Sequence, residues 1–378
     1  MGQQEQAARS IEITVREATA LQAQGTELLD IRSKQERMAG WPEGSSPLRD
    51  PEGEGAFSAV QRRQSAQQQT ILLLCARGIR SRELAQTLRT KGITGATSVQ
   101  GGFEAWQQAG LPVRYPQGLD ATQVDRYSRQ LVLPEVGVDG QRRLLDASIL
   151  LIGAGGLGSP AALYLAAAGI GRLGLVDDDL VSRSNLHRQV VHSDNTVGQP
   201  KTRSARERLL GLNPDISVET FAHRLSGKNV ERTLTGWDLV IDGSDNFPTR
   251  YLLNDACLQM EIPLVYGAVM KFEGQVSVFH PSARRGVNPC YRCLFARPPA
   301  AEDAPNCATA GVLGVLPGII GTLQATEALK WVLGIGKPLI GRLLRIDALE
   351  MRFVESRLPA DPGCERCAPG KPFPGYVD

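Results

Sequence analysis

The sequence predicts an α/β protein in which parallel strands alternate with helices. An apolar run at 149–152 breaks into the glycine-rich stretch 153–158, and small residues typical of a tightly packed helix follow at 161–168. Further strand and helix patterns alternate along the chain at 173–176, 201–212, 218–221 and 239–242. Such alternation favours a parallel sheet covered by helices. Ligands bind a sheet of this kind beyond the carboxyl ends of its strands.

Length and composition limit the classes of protein that this chain can represent. With 378 residues it can form two or three domains, and a net charge of +2 predicts neither nucleic-acid binding nor an acidic tail. Four of the seven cysteines form Cys-x-x-Cys pairs, the first ten residues do not resemble a signal peptide, and no apolar run reaches membrane-spanning length. We therefore expect a soluble, cytoplasmic protein without nucleic-acid or membrane partners.

The N-terminal segment begins with a strand pattern at 11–15, a helix pattern from Glu17 and a second strand pattern at 28–32. The stretch 61–69 is rich in glutamine and predicts a helix or connector without evident chemistry. A third strand pattern, at 71–74, is continuously apolar and therefore predicts a buried strand. The first residue with clear chemical potential follows that strand directly.

Cys75 ends the buried strand pattern and opens a glycine-containing loop that leads into a helix pattern at 82–90. A cysteine at this place faces the N–H groups of the helix N-terminus, and Arg77, Arg80 and Arg82 stand close to it in the sequence. Both features favour the thiolate, so we interpret Cys75 as a nucleophile. The alternative is a buried, inert cysteine at the end of a strand.

Residues 11–115 resemble a rhodanese domain. The resemblance depends on the triplet 30–32, the loop 75–80, and the stretches 101–106 and 110–113. It implies a small α/β domain whose loop holds a persulfide on Cys75, with Arg80 at the end of the loop. Four residues separate Cys75 from Arg80, which fits this cradle better than the longer loop of the related phosphatases. We expect a rhodanese-like domain at 1–115, a linker at 116–121 and a second domain at 122–378.

The glycine-rich stretch predicts a nucleotide-binding turn of the Rossmann type. Gly153, Gly155, Gly156 and Gly158 permit a tight turn whose N–H groups approach a phosphate at a helix N-terminus. Asp177 closes the second strand pattern, where an acid commonly binds ribose hydroxyls. The glycine pattern alone is shared with dinucleotide-dependent oxidoreductases, so it does not identify the nucleotide.

Polar and basic residues beyond the second strand favour ATP as the ligand. Ser184 and Asn185 precede Arg188, and Lys201 begins the next helix pattern. A triphosphate carries more negative charge than a dinucleotide pyrophosphate, so additional cations fit ATP better. The alternative is that Arg188 and Lys201 are solvated surface charges.

Asp245 and Asn246 follow the strand pattern 239–242 and come before another helix. A carboxylate at the carboxyl end of a parallel strand can hold Mg²⁺ against nucleotide phosphates. We therefore predict a magnesium ligand at Asp245, with Asn246 beside it in the nucleotide site. The alternative role of this pair is to cap the helix that follows.

Two Cys-x-x-Cys pairs predict a structural zinc site. The ligands would be four thiolates, which leave no coordination position for water. This site would tie the C-terminal segment to the rest of its domain. Free thiols or a redox pair are the alternative, and the predicted ligands are Cys290, Cys293, Cys364 and Cys367.

Residues 126–367 resemble the ubiquitin-activating-enzyme superfamily, and most of all the bacterial molybdopterin-synthase adenylyltransferases. The resemblance implies a Rossmann-like adenylating domain, a symmetric homodimer, and an Arg129 that reaches the ATP phosphates of the partner subunit. In related enzymes a cysteine at the position of Cys307 attacks the activated carrier or receives sulfur from it, whereas other members function without one, so Cys307 is either catalytic or incidental. The matching landmarks, besides the two cysteine pairs, are the stretches 126–130, 153–158, 184–189, 198–201 and 242–246.

The two resemblances together imply a function in sulfur transfer. The second domain would use ATP and Mg²⁺ to adenylate the C-terminal glycine of a ubiquitin-like sulfur carrier ending in Gly-Gly. A persulfide on Cys75, loaded from a persulfide or thiosulfate donor, would then attack the acyl adenylate directly or act by way of Cys307. The product would be a thiocarboxylate for molybdenum cofactor, thiamine or a related pathway. The alternatives are adenylation of a small carboxylate, a dinucleotide-dependent oxidoreductase, and a binding module whose rhodanese-like domain is inactive.

Overall fold

A computed structural model describes residues 10–48, 57–61, 70–116, 118–299 and 311–376. Contacts between Cα atoms divide the chain into two compact units, Met1–Gln141 and Arg142–Asp378. No helix in the described ranges is long and apolar enough to cross a membrane. The glutamine-rich stretch predicted as a helix or connector lies outside the described residues from position 62 onward.

The first unit is built on a small parallel sheet. Its described strands are β1 (Glu12–Ile13), β2 (Leu28–Asp30), β3 (Trp41–Pro42), β4 (Ser46–Pro47), β5 (Ile71–Leu74), β6 (Ala96–Val99) and β7 (Val113–Arg114). Its described helices include α1 (Val15–Ala23), α2 (Lys34–Arg37), α3 (Ile79–Thr90), α4 (Gly102–Gln108) and α5 (Ala121–Leu131); α6 (Gly137–Asp146) continues into the second unit. Five parallel strands pair in the order β1-β6-β5-β2-β4, and β3 pairs antiparallel with β7.

The strand β5 lies in the middle of this sheet, and every one of its side chains is buried. Alternate side chains of a strand point to opposite faces of its sheet. Leu73 accordingly packs in a cluster with Leu88 of α3, whereas Leu72 belongs to a second cluster with Trp106 of α4. Helices therefore cover both faces, and β5 delivers Cys75 to the carboxyl edge of the sheet.

The second unit contains a larger sheet. Its strands are β8 (Ser148–Ile152), β9 (Arg172–Val176), β10 (Ser217–Phe221), β11 (Leu239–Asp242), β12 (Leu264–Met270), β13 (Glu273–Phe279), β14 (Arg342–Asp347) and β15 (Arg352–Arg357). Its described helices include α7 (Gly158–Ala168), α8 (Lys201–Leu212), α9 (Val230–Leu234), α10 (Phe247–Gln259), α11 (Tyr291–Leu294) and α12 (Val315–Leu333). The strand order is β10-β9-β8-β11-β12-β13-β14-β15.

The prediction of a parallel sheet is right for the first five strands of this order and incomplete for the rest. Strands β13, β14 and β15 are antiparallel to their neighbours. Lys271 and Phe272 alone join β12 to β13, and Lys271 has a φ of 54°, which reverses the chain at once. A connection of two residues permits only an antiparallel pair, because a parallel pair needs a long crossover.

The helix α12 packs directly behind the glycine-rich turn. A Cβ on Gly321 would lie 2.2 Å from the carbonyl oxygen of Leu157, so only glycine permits this approach. The buried Gln324 donates from Nε2 to the carbonyl oxygens of Asp242, at 2.7 Å, and Val265, at 3.2 Å. This helix therefore fixes the carboxyl end of β11 and the beginning of the neighbouring strand β12 to each other.

Candidate active site

The glycine-rich turn joins β8 to α7 and depends on two glycines for its shape. Gly153 has a φ of 95°, and a Cβ there would lie 2.8 Å from the carbonyl oxygen of Gly243. A Cβ on Gly158 would lie 1.9 Å from the carbonyl oxygen of Gly153. The turn is thus closed tightly at the N-terminus of α7, and its residues Gly155, Gly156 and Leu157 line one cavity, which suits an anionic phosphate.

Asp177, Lys201 and Asp179 form a polar cluster beside this turn. Asp177 accepts the N–H of Ala154 at 2.8 Å, and Lys201 Nζ lies 2.7 Å from Asp179 Oδ2 and 4.0 Å from Asp177 Oδ1. Burial raises the pKa of Asp177, and the ammonium group of Lys201 opposes that rise. Since Lys201 is only 4% exposed, it is a positioned charge at the cavity rather than a solvated surface lysine.

A cavity of about 680 Å³ opens along the carboxyl edge of the sheet, entirely within the second unit. The predicted residues Gly158, Ser184 and Asn185 are not among those that line it. Ser184 Oγ lies 3.0 Å from Ser182 Oγ, and Asn185 Oδ1 accepts Arg188 Nη2 at 2.8 Å. The predicted residues that do line it are Gly153, Gly155, Gly156, Asp177, Arg188, Lys201, Asp245 and Asn246.

The helix α10 begins beside this cavity with a side-chain cap. Asn246 Oδ1 accepts the N–H of Thr249 at 3.0 Å, so Asn246 is the capping residue. Asp245 precedes the cap and stands exposed at the cavity wall. Of this pair, Asp245 therefore has a carboxylate available for a divalent cation.

Three residues that the sequence reasoning missed also belong to this region. Arg250 and Tyr266 line the cavity, and His192 Nε2 lies 3.0 Å from the carbonyl oxygen of Ala154, behind the glycine turn. A carbonyl oxygen only accepts, so Nε2 carries the proton; burial lowers the pKa of His192 and keeps the ring neutral. The spacing Asn246 to Arg250 places the arginine one helical turn past the cap, a signal that could have identified it.

The first unit contains a separate site at Cys75. The thiol is buried, its Sγ accepts the N–H of Gly78 at 3.1 Å, and Ser81 Oγ lies 3.4 Å away. Gly78 has a φ of 87°, and a Cβ there would lie 2.8 Å from the nitrogen of Gly101. The loop therefore curls around the sulfur at the N-terminus of α3, and the N–H of Gly78 is directed at that sulfur.

Arg80 is held at this loop by Glu36. One carboxylate oxygen of Glu36 pairs with Arg80 Nη2, and the other accepts the N–H of Ser33 at 2.9 Å as part of the cap of α2. The hydrogen bond that Arg80 donates to the Glu36 carboxylate raises the pKa of Arg80. Nearby, the buried pair Asp30–Arg32 fastens the loop between β2 and α2, with 2.6 Å between Oδ2 and Nη2.

The four predicted zinc ligands meet in one cluster. Sγ of Cys290 lies 3.9 Å from Cys293 Sγ and 3.6 Å from Cys364 Sγ, and Cys293 Sγ lies 3.4 Å from Cys367 Sγ. A tetrahedral zinc site with Zn–S bonds of about 2.3 Å needs sulfur atoms about 3.8 Å apart. The donor set and its spacing therefore fit a closed, structural Zn²⁺ site.

A buried carboxylate joins the two cysteine pairs independently of a metal. Asp255 of α10 accepts Arg292 Nε and Nη2, both at 2.8 Å, and pairs with Arg366 Nε at 3.2 Å. Arg292 and Arg366 each stand one residue before the second cysteine of their pair. Because α10 begins at the nucleotide cavity, the cysteine cluster and the cavity share one structural support.

Two predicted site residues are not placed in either site. Arg129 lies on α5 in the first unit, and Cys307 lies outside the described residues. Their roles remain predictions from the resemblance. Cys257, by contrast, is buried on α10 as expected of a core residue, and burial raises the pKa of its thiol.

The second unit is an α/β domain of the nucleotide-binding class. Its defining features are a glycine turn at a helix N-terminus, a buried lysine and a cavity at the strand ends. Residues 127–366 match the ThiF family, and since this match spans more than half of the chain, the chain belongs to the ThiF family. Residues 14–109 match the rhodanese-like domain. The predicted family and fold class are thus confirmed.

Curated relatives match about two thirds of the chain. The chain is 54% identical over 252 residues to the SAMP-activating enzyme E1 of Haloferax volcanii, covering 67% of this chain and 92% of that protein. It is 52% identical over 246 residues to the sulfur carrier protein adenylyltransferase of Thermus thermophilus, covering 65% of this chain and 91% of that protein. It is 47% identical over 260 residues to the adenylyltransferase and sulfurtransferase MOCS3-1 of Zea mays, covering 68% of this chain and 55% of that protein.

Solved structures support the fold. The crystal structure of E. coli MccB with ATP matches with a TM-score of 0.56 at 20% identity, covering 71% of this chain and 85% of that chain. The crystal structure of selenomethionine PaaA matches with a TM-score of 0.55 at 22% identity, covering 68% of this chain and 81% of that chain. At this level of identity, the similarity concerns the fold alone.

Proposed function

We propose that this chain adenylates the C-terminal glycine of a ubiquitin-like sulfur carrier ending in Gly-Gly and then converts it to a thiocarboxylate. One observation carries the proposal: a ThiF-family unit with a phosphate-binding turn is joined in the same chain to a rhodanese-like unit with a cradled cysteine. Relatives that match about two thirds of this chain are named for sulfur carrier adenylation and sulfur transfer. The product would serve molybdenum cofactor, thiamine or a related sulfur pathway.

The adenylation step requires positioning and charge neutralisation rather than a protein nucleophile. A carboxylate oxygen of the carrier attacks the α-phosphorus of ATP, the bond to the β-phosphate oxygen breaks, and pyrophosphate leaves. Lys201, Arg188 and the turn N–H groups offset the phosphate charge, and Asp245 holds Mg²⁺ against it. Asp177 holds the ribose hydroxyls.

The sulfur step uses the Cys75 loop. A persulfide or thiosulfate donor loads the thiol, and the outer sulfur of the resulting persulfide attacks the acyl carbon, so that AMP leaves. A second thiol, for which Cys307 is our candidate, then attacks the Cys75 sulfur, releases the thiocarboxylate and leaves a disulfide that a cellular thiol reduces. The cradle around Cys75 stabilises the anionic sulfur in each step.

Several structural features complete the proposal. The chain acts as a cytoplasmic homodimer in which Arg129 of each subunit contributes charge to the partner's nucleotide site. The rhodanese-like domain spans 1–115, a linker 116–121 and the adenylating domain 122–378. The four-cysteine cluster holds Zn²⁺, which supplies stability to the second unit rather than chemistry.

We expect Asp245→Ala to reduce ATP–pyrophosphate exchange by about 100-fold or more, the scale for removing one element of charge stabilisation. The assay follows exchange with a purified Gly-Gly sulfur carrier over a range of Mg²⁺ concentrations. Asp194→Ala is the control, because Asp194 is exposed in the same unit and does not line the cavity. If Asp245→Ala and wild type had equal rates and equal Mg²⁺ dependence, Asp245 would not be a magnesium ligand of this site. Exchange with a small carboxylate but with no carrier would overturn the substrate and keep the reaction class.

We expect the double substitution Cys290→Ser with Cys364→Ser to abolish zinc binding and lower Tm by about 5–10 °C, since each 1 kcal/mol shifts Tm by about 2–4 °C in a unit of this size. Atomic emission measures zinc per chain, and calorimetry measures Tm. Cys257→Ala is the matched control, because that buried thiol lies outside the cluster. Retention of one zinc per chain in the double variant would contradict the assignment.

A further inference from the structure

The wall of the nucleotide cavity contains an arginine with more donors than partners. The guanidinium of Arg250 has five N–H donors. Its Nη2 donates to the carbonyl oxygen of Ser244 at 3.1 Å, whereas Nε is 3.9 Å from Asp242 Oδ2, too far for a hydrogen bond. Within the described ranges, Nε is buried without any hydrogen-bond partner. An unpaired buried donor costs free energy, so such a group in a cavity wall indicates a ligand.

A second unpaired group lies at the same wall. Tyr291 Oη is also buried and makes no hydrogen bond of good geometry in the part of the chain that the structure describes, although it lies close enough to the Arg250 guanidinium to help raise the pKa of that group. Burial raises the pKa of Tyr266 to about 12 and also raises that of Tyr291, so both phenols remain neutral. The guanidinium carbon of Arg250 lies 5.8 Å from the ring centre of Tyr266. This end of the cavity thus combines a positive charge, a phenol donor and aromatic walls.

The topology separates this group of residues from the nucleotide elements. Along the sheet, the acid Asp177 follows β9, the glycine turn follows β8, Asp245 follows β11, and Tyr266 lies on β12. A nucleoside held at Asp177 with its phosphates at the turn therefore leaves the β12 side of the cavity for the other substrate. The groups available there suit a carboxylate with a neighbouring peptide carbonyl.

We propose that Arg250 and Tyr291 form the subsite that binds the terminal carboxylate and last peptide carbonyl of the acyl substrate. The inference rests on the proposed adenylation and adds the residues that recognise its acyl partner. The guanidinium would offset the repulsion between an anionic carboxylate and the phosphates, which otherwise opposes the approach of the two substrates. Neither residue changes its protonation state in this role.

The test compares Arg250→Lys and Tyr291→Phe in carrier-dependent ATP–pyrophosphate exchange. Arg250→Lys keeps a charge opposite the buried Asp242, and Tyr291→Phe removes only the unpaired hydroxyl, so both variants should fold. We expect KM for the carrier to rise about 10-fold in Tyr291→Phe, the loss of one hydrogen bond, and more in Arg250→Lys, with KM for ATP within about twofold. Tyr251→Phe is the matched control: its hydroxyl donates to the carbonyl oxygen of Phe295 at 2.9 Å and does not line the cavity.

A binding measurement provides a readout that does not depend on turnover. A carrier whose C-terminus is an amide lacks the carboxylate charge, and we expect it to bind wild type about 10-fold more weakly than the free acid. That difference should shrink to about twofold in Arg250→Gln, which removes the positive charge from this wall, and should persist in part in Arg250→Lys, which keeps the charge but loses the planar guanidinium. The subsite would be overturned if the acid-to-amide ratio of the Arg250→Gln variant equalled that of wild type, or if only its KM for ATP rose. In that case, carrier-dependent exchange by wild type would still support the proposed function. No carrier-dependent exchange by wild type would overturn both.

Discussion

Replacing Cys75 with serine should abolish sulfur transfer and leave adenylation intact. Serine preserves the size of the side chain and can accept the N–H of Gly78, so the loop should keep its shape. It cannot form a persulfide, and we expect thiosulfate-to-cyanide sulfur transfer to fall by about 1,000-fold or more, the scale for the loss of a nucleophile. Carrier-dependent ATP–pyrophosphate exchange should stay at the wild-type rate, because the nucleotide cavity is formed by residues of the second unit.

The control for this experiment is Cys257→Ala, in which a buried cysteine outside both sites is removed. It should transfer sulfur at the wild-type rate. Persistent sulfur transfer in Cys75→Ser would locate the persulfide on another cysteine. An absence of sulfur transfer in the wild-type protein, with exchange intact, would support the alternative of a rhodanese-like domain that only binds partners.

Features that depend on local geometry could be predicted from the sequence. The glycine turn was predictable because a strand, a turn and a helix N-terminus follow one another within a few residues, and Gly153 and Gly158 can be replaced by no other residue there. The cysteine cluster was predictable for a different reason. Two pairs with metal-ligand spacing have few other uses, even though Cys290 and Cys364 are far apart in the sequence.

Features that depend on the tertiary arrangement were missed. The antiparallel strands β13 to β15 follow a turn, Lys271–Phe272, whose residues are not typical of hairpins, so the pattern gave no warning of a reversal. In the sequence, Arg250 cannot be distinguished from an exposed helical arginine. Only the tertiary fold places it beside Asp242 and Tyr266. The role of Glu36 was equally hidden, because its contact with Arg80 spans 44 positions of sequence.

Gly158→Ala should disrupt the second unit and its nucleotide site together. The new Cβ would lie 1.9 Å from the carbonyl oxygen of Gly153, a backbone atom that cannot move without opening the turn. We expect a loss of more than about 3 kcal/mol in the free energy of unfolding, beyond the usual 1–3 kcal/mol of overpacking, and a fall in Tm of about 6–12 °C. Binding of ATP, measured by titration calorimetry, should be undetectable because the N–H groups no longer converge.

Gly155→Ala is the matched control within the same turn and separates fold from ligand contact. Its Cβ would meet Gln189 Nε2 at 3.6 Å, an ordinary contact, so Tm should stay close to that of wild type. Since Gly155 lines the cavity, the added methyl group should still weaken ATP binding, so this variant loses affinity without losing stability. Equal melting temperatures of the two variants would contradict the closed turn. Unchanged ATP affinity in Gly155→Ala would place the phosphates elsewhere in the cavity.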